Sequence, residues 1–122
     1  MRTRKIWTGE QADINAITDA DGHCPVLDFL NRLDARAQKR LLMLFDLFGK
    51  CGRSRNSEMF EEIGVGIWAI KNAAFRIFCF FTPHAAKTTL VLTHAIDGKD
   101  NTSDSNEVLK AEQYLRRFIR KG

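Results

Sequence analysis

Between Gly64 and Lys99 three apolar runs, Ile67 to Ile70, Phe75 to Phe81 and Leu90 to Ile96, are separated by short breaks. Their length and their aromatic and β-branched content suit strands rather than helices. Asn72 occupies the first break, and Thr82, Pro83 and His84 the second, all residues that turns accept. Strands joined so briefly run antiparallel, so the segment is read as a three-strand meander. It also carries Lys71, Arg76, His94 and Lys99 at or near strand ends, where a groove for a polyanion can be built.

The remaining elements follow from periodicity and punctuation. Ile14 and Ile17 lie between polar positions in a short strand from about Ala12 to Thr18, before the turn Asp19-Ala20-Asp21-Gly22. Pro25 opens a helix through about Leu33, with Leu27, Leu30 and Leu33 at helical spacing. A second helix, about Ala35 to Phe48, gathers Ala37, Leu41, Leu44, Phe45 and Phe48 on one face, and Gly49 or Gly52 stops it. Lys50 to Ser57 is a polar loop with Arg53 and Arg55, and Asp97 to Ser105 is another. Asp104 or Ser105 caps a closing helix, about Asn106 to Arg120, whose end carries Arg116, Arg117, Arg120 and Lys121. The expected class is α+β: a small antiparallel sheet, made of the short N-terminal strand and the C-terminal meander, with the two N-terminal helices on one face and a C-terminal helix. The other sheet face is expected to stay partly open, a surface on which single-stranded nucleic acid can lie.

A length of 122 residues fits one domain, 1–122. The longest apolar run is far too short for a membrane span, and the basic N-terminus lacks the apolar core of a secretion signal. Cys24, Cys51 and Cys79 are odd in number and form no C-x-x-C spacing, so neither a disulfide framework nor a cysteine-based zinc site is expected. A reducing cytoplasm fits this composition. The net charge of +4 favours an anionic partner, either nucleic acid or an acidic protein.

In order and spacing, the chain resembles the RelE/ParE toxin superfamily, and most closely its HigB-like, phage-associated branch, from about Asp19 onward. Gly22, Pro25-Val26, Phe29-Leu30 and Leu33 match the opening turn and first helix, and Gly64 to Ile70 with Lys71 match the glycine-tryptophan strand. Phe75-Arg76-Ile77-Phe78 matches the aromatic-arginine strand, and Leu90-Val91-Leu92-Thr93-His94-Ala95 the last strand with its histidine.

The resemblance implies a RelE-like fold and the toxin of a two-component module. Such a toxin is an endoribonuclease that cuts messenger RNA, often in the ribosome, and is silenced by a cognate antitoxin, here expected to be a helix-turn-helix DNA-binding protein. The implied reaction, attack of a ribose 2′-hydroxyl on the adjacent phosphate, needs a proton acceptor, cations for the phosphoryl oxygens and a proton for the leaving oxygen. It needs no metal and no cofactor. Arg76 suits the phosphate because a guanidinium is a planar, permanently charged fork, and Lys71 adds a second cation. His94 and Lys99 complete the expected catalytic set, with Arg53, Arg55, Arg116, Arg117 and Arg120 as RNA contacts.

Other readings of the same residues stay open. A histidine ending an apolar strand is often a packed, hydrogen-bonded core residue. Burial preference puts Phe75, Phe78, Phe80, Phe81 and Trp68 in the core rather than under stacked bases. Tyr114 is spaced for helix packing, and cations at a helix C-terminus complement its dipole. The HigB-like branch follows its histidine with a lysine-rich loop of the form KKTxKTP, whereas Gly98 to Asp104 keeps only Lys99 and brings in Asp100 and Asp104. A carboxylate beside an RNA phosphate is repulsive unless it acts as a base. This departure leaves two alternatives: a ParE-like toxin that inhibits DNA gyrase by binding, or a catalytically degenerate binding module.

Overall fold

The computed structural model describes residues 2–52, 60–82, 87–98 and 104–121. Along the chain these form β1 (Arg2–Thr8), β2 (Ala12–Thr18), α1 (Pro25–Arg32), α2 (Ala35–Cys51), β3 (Phe60–Gly64), β4 (Ile67–Lys71), β5 (Phe75–Phe81), β6 (Thr88–Asp97) and α3 (Asp104–Lys121). The strands make one sheet in the order β1-β2-β6-β5-β4-β3. All neighbours pair antiparallel except β2 and β6, which are parallel.

The α+β class and the β4-β5-β6 meander stand as expected, and the sheet differs from expectation in two respects. It has six strands rather than four, and it is mixed rather than wholly antiparallel. The two unexpected strands, β1 and β3, form its edges. Their sequences, RTRKIWT and FEEIG, place charged side chains where interior strands place apolar ones. That suits an edge, where charge discourages pairing with another chain, but it hides the strand from an apolar-run criterion.

Local chemistry sets the element ends. Asp19 Oδ1 accepts from the backbone N–H of Asp21 and of His23, closing the turn after β2. Asp34 caps α2 by accepting from Ala37 N–H at 2.8 Å, and the helix ends where Gly52 N–H donates to Phe48 O at 2.7 Å. Of the two stops considered for α2, Gly52 is the one used. Gly49 lies inside the helix, and a Cβ on Gly9 would sit only 2.2 Å from its Cα, so the β1–β2 hairpin crosses α2 backbone to backbone.

Apolar side chains fill both sides of the sheet. On one side α1 and α2 bury Val26, Leu41, Phe45 and Phe48 against Ile14, Phe75, Ile77, Leu90 and Leu92. On the other, Ala111 of α3, with Tyr114, Leu115 and Phe118, packs on Ile67, Ala69, Phe78, Phe80 and Val91. The partly open face expected from sequence is therefore covered by α3. An 18-residue helix with apolar residues at 108, 111, 115 and 118 has to bury that stripe, and the β4-β5-β6 face is where it does so. Phe75, Phe78 and Phe80 are fully buried, as core residues rather than base-stacking ones. No helix among the described residues is long and apolar enough to cross a membrane.

Candidate functional site

Pairing register brings two of the sequence-selected cations together. Lys71, the last residue of β4, faces Arg76 near the start of β5, and Arg76 in turn faces Ile96 on β6. Directly opposed residues share a sheet face, so both cations lie on the side that carries Ala69, Phe78 and α3. The turn between them is rigidly built: Asn72 Oδ1 accepts from Ala74 N–H at 2.7 Å and Phe75 N–H at 2.9 Å, while Asn72 N–H donates to Phe75 O. Both side chains are half-buried, and Lys71 Nζ is ion-paired with Glu61 Oε1 of β3. Such a partly exposed pair is weak enough to open for a phosphate.

The end of β6 is pressed onto this turn. A Cβ on Gly98 would lie 2.3 Å from Asn72 O and 2.8 Å from Phe75 N, so only glycine allows the approach. Lys99 follows it immediately but lies outside the described residues, as do Arg53 and Arg55.

His94 reaches the same sheet face through a β-bulge. Phe78 pairs with His94 while Cys79 pairs with Leu92, leaving Thr93 as an extra residue in β6. Without it, parity would send Thr93 toward α3 and His94 toward α1. The imidazole instead stacks on Phe78, with ring centroids 4.9 Å apart, and lies 6.3 Å from the Tyr114 ring. It is 3% exposed, and both nitrogens are engaged: Nδ1 with Thr93 Oγ1 at 2.9 Å and Nε2 with Glu107 Oε2 at 2.7 Å. Thr93 Oγ1 also lies 3.1 Å from Phe78 O. If the hydroxyl donates there, Nδ1–H must donate to Thr93, and a proton is then needed between Nε2 and Glu107. If it donates to Nδ1, Nε2–H donates to Glu107 and the ring is neutral. Burial holds the His94 pKa below the ordinary histidine value, and the Glu107 carboxylate offsets this only in part.

His94 and Glu107 form part of the wall of a cleft of about 440 Å³ between α1 and the start of α3. The parallel ladder ends at Ala16 opposite Leu92, so beyond that point β6 has lost β2 as a neighbour, and α1 borders the gap. Arg32 and Lys110 bring positive charge to the cleft, Asp19, Asp28 and Glu107 negative charge. Glu107 is the residue that sequence reasoning missed. It lies 13 positions from His94 in a polar stretch, and the signal that existed was its place in the first turn and a half of the closing helix.

The other selected residues are spread out. Arg116, Arg117 and Arg120 are exposed on α3, with Arg117 beside Ile17, Thr18 and Tyr114 at a shallow groove. Tyr114 packs, as its spacing suggested. Among the described residues one group has metal-ligand character, Asp19, Asp21 and His23, all exposed, and the Asp19 carboxylate already serves the turn. The three cysteines are free, and burial pushes the Cys79 thiol pKa up, which leaves it unreactive.

Three helices on a six-stranded mixed sheet are broadly consistent with a RelE-like α+β fold, although the strand count differs. The chain belongs to the family described as phage-derived protein Gp49-like (DUF891), whose model matches residues 28–116. This is a RelE-like, toxin-associated family, and an antitoxin partner is general to toxins of that kind. A comparison with curated proteins gave no match.

Proposed function

We propose that this chain is the toxin of a type II toxin–antitoxin module of the HigB-like branch, acting in the cytoplasm as an endoribonuclease that cuts messenger RNA, in association with the ribosome. The observation that carries this reading is the pair Lys71 and Arg76, opposed on one sheet face beside the turn onto which Gly98 packs. Two cations on adjacent strands suit a scissile phosphate, with the Arg76 fork on two phosphoryl oxygens and the Lys71 ammonium, released from Glu61, on the charge that grows in the transition state. Lys99, one residue beyond Gly98, adds a third cation, and Arg53, Arg55, Arg116, Arg117 and Arg120 hold more distant stretches of RNA.

In the reaction the 2′-oxygen forms a bond to phosphorus as the bond to the 5′-oxygen breaks, giving a 2′,3′-cyclic phosphate and, once the leaving oxygen takes a proton from water, a 5′-hydroxyl end. The 2′-hydroxyl proton passes to the His94–Glu107 pair, whose open end is Glu107, since its side chain is 24% exposed against 4% for His94. Neither a metal nor a cofactor takes part.

A second reading is favoured by one observation: His94 has no unengaged ring nitrogen. In that case the chain is a ParE-like toxin that inhibits DNA gyrase by binding, or a RelE-fold binding module without catalysis. Expressing the chain and its Arg76→Ala variant in bacteria separates these. Growth arrest with new RNA ends inside coding sequences, lost in the variant, supports the nuclease. Arrest with DNA-damage signalling and intact transcripts supports the gyrase binder, and no arrest supports the binding module.

A further inference from the structure

The outer surface of α2 does not look like a solvated helix face. Leu42, Met43 and Leu47 are 50%, 65% and 52% exposed there, although a helix packed through Leu41, Phe45 and Phe48 has no folding need for apolar residues on its far side. Around them stand Arg36, Lys39, Arg40 and Lys50, all exposed. Asp46 pairs with Lys50 at 3.0 Å, but among the described residues no carboxylate pairs with Arg36, Lys39 or Arg40. Met43 and these three cations, with the single carboxylate of Asp34 that caps α2, also line a groove of about 450 Å³, closed on the far side by the β4–β5 turn at Asn72, Ala73 and Ala74.

We infer that this face of α2 and its groove dock an acidic amphipathic segment of a partner protein, with apolar side chains on Met43 and Leu47 and carboxylates on Arg36, Lys39 and Arg40. The inference rests on the toxin reading only for the expectation that such a partner exists. Charge and apolarity together select the occupant. Nucleic acid would satisfy the cations but would set phosphates against Leu42, Met43 and Leu47, whereas protein interfaces combine methionine and arginine with an apolar centre. A second copy of this chain meeting the first through the same face would oppose like charges across a two-fold axis. Methionine adapts to the shape of whatever side chain enters.

The test uses a fluorescent synthetic helical peptide of about 20 residues with a leucine stripe and glutamates elsewhere, the same peptide with lysine for every glutamate, and a single-stranded RNA oligonucleotide. Binding to the whole chain is followed by anisotropy. The proposal expects the acidic peptide to bind, the lysine peptide not to, and Met43→Asp with Leu47→Asp, or Arg36→Glu with Lys39→Glu and Arg40→Glu, to weaken binding by roughly tenfold or more. Circular dichroism and melting temperature should stay unchanged in both variants, because every substituted side chain is exposed. Absent or equal binding of the acidic peptide in all variants would overturn it. So would RNA binding lost in the charge variant while peptide binding persists, or a dimer in sedimentation that Leu47→Asp dissolves. Growth arrest by the same variants reports on the toxin reading separately, since neither variant touches Lys71, Arg76, His94 or Glu107.

Discussion

Thr93 is the extra residue of the β6 bulge, and its insertion turns His94 toward α3, onto the Phe78 ring and against Glu107. Phe78, Tyr114, Thr93, Glu107 and Lys110 surround the imidazole, and burial makes it take up its proton at a lower pH in the folded chain than in the unfolded chain. The unfolded chain then binds more protons as the pH falls through about 6.5, so folding loses stability as acid is added. The melting temperature should drop between pH 7.5 and 5.0, and His94→Gln, which removes the titrating group, should flatten that drop; an equal drop in both proteins would contradict the assignment. Glu107→Gln keeps size and hydrogen bonding but removes the basic oxygen. It should lower RNA cleavage on the order of 10²-fold at unchanged melting temperature, read from single-turnover rates.

At the scale of elements, the contact between Gly98, just beyond β6, and the β4–β5 turn holds the cationic end together. Gly98→Ala would force a methyl group into Asn72 O and Phe75 N, which should cost about 1–3 kcal/mol in denaturant titration and reduce cleavage along with stability. Interior strands were legible in the sequence because burial on two sides demands apolar runs, as in Ile67 to Ile70 and Phe75 to Phe81. The edges β1 and β3 were not, because edges carry charge: Arg2, Arg4 and Lys5 on one, Glu61 and Glu62 on the other. The Lys71–Arg76 pairing was legible once two strands and Asn72 were recognised, since a short turn fixes register. The bulge at Thr93 and the Glu107 contact were not, because both depend on where α3 lies relative to β6. The same helix accounts for the closed sheet face, since its apolar stripe needed a surface and the meander supplied one.

For the whole molecule, the net charge of +4 is distributed with purpose under the proposed reading. One cationic group, at Lys71 and Arg76, faces α3 at the end of the meander, and another, at Arg36, Lys39 and Arg40, flanks exposed apolar residues on α2. The first suits RNA and the second a silencing partner, so substitutions at the two should separate cleavage from neutralisation. Whether Arg76 and Lys71 grip a scissile phosphate is tested by cleavage of a defined messenger RNA by the purified chain on programmed ribosomes, with the new ends identified chemically. The expected ends are a 2′,3′-cyclic phosphate and a 5′-hydroxyl, formed at a rate lowered on the order of 10²-fold or more by Arg76→Ala with little change in melting temperature. Intact messenger, or cleavage that Arg76→Ala leaves at full rate, would contradict it.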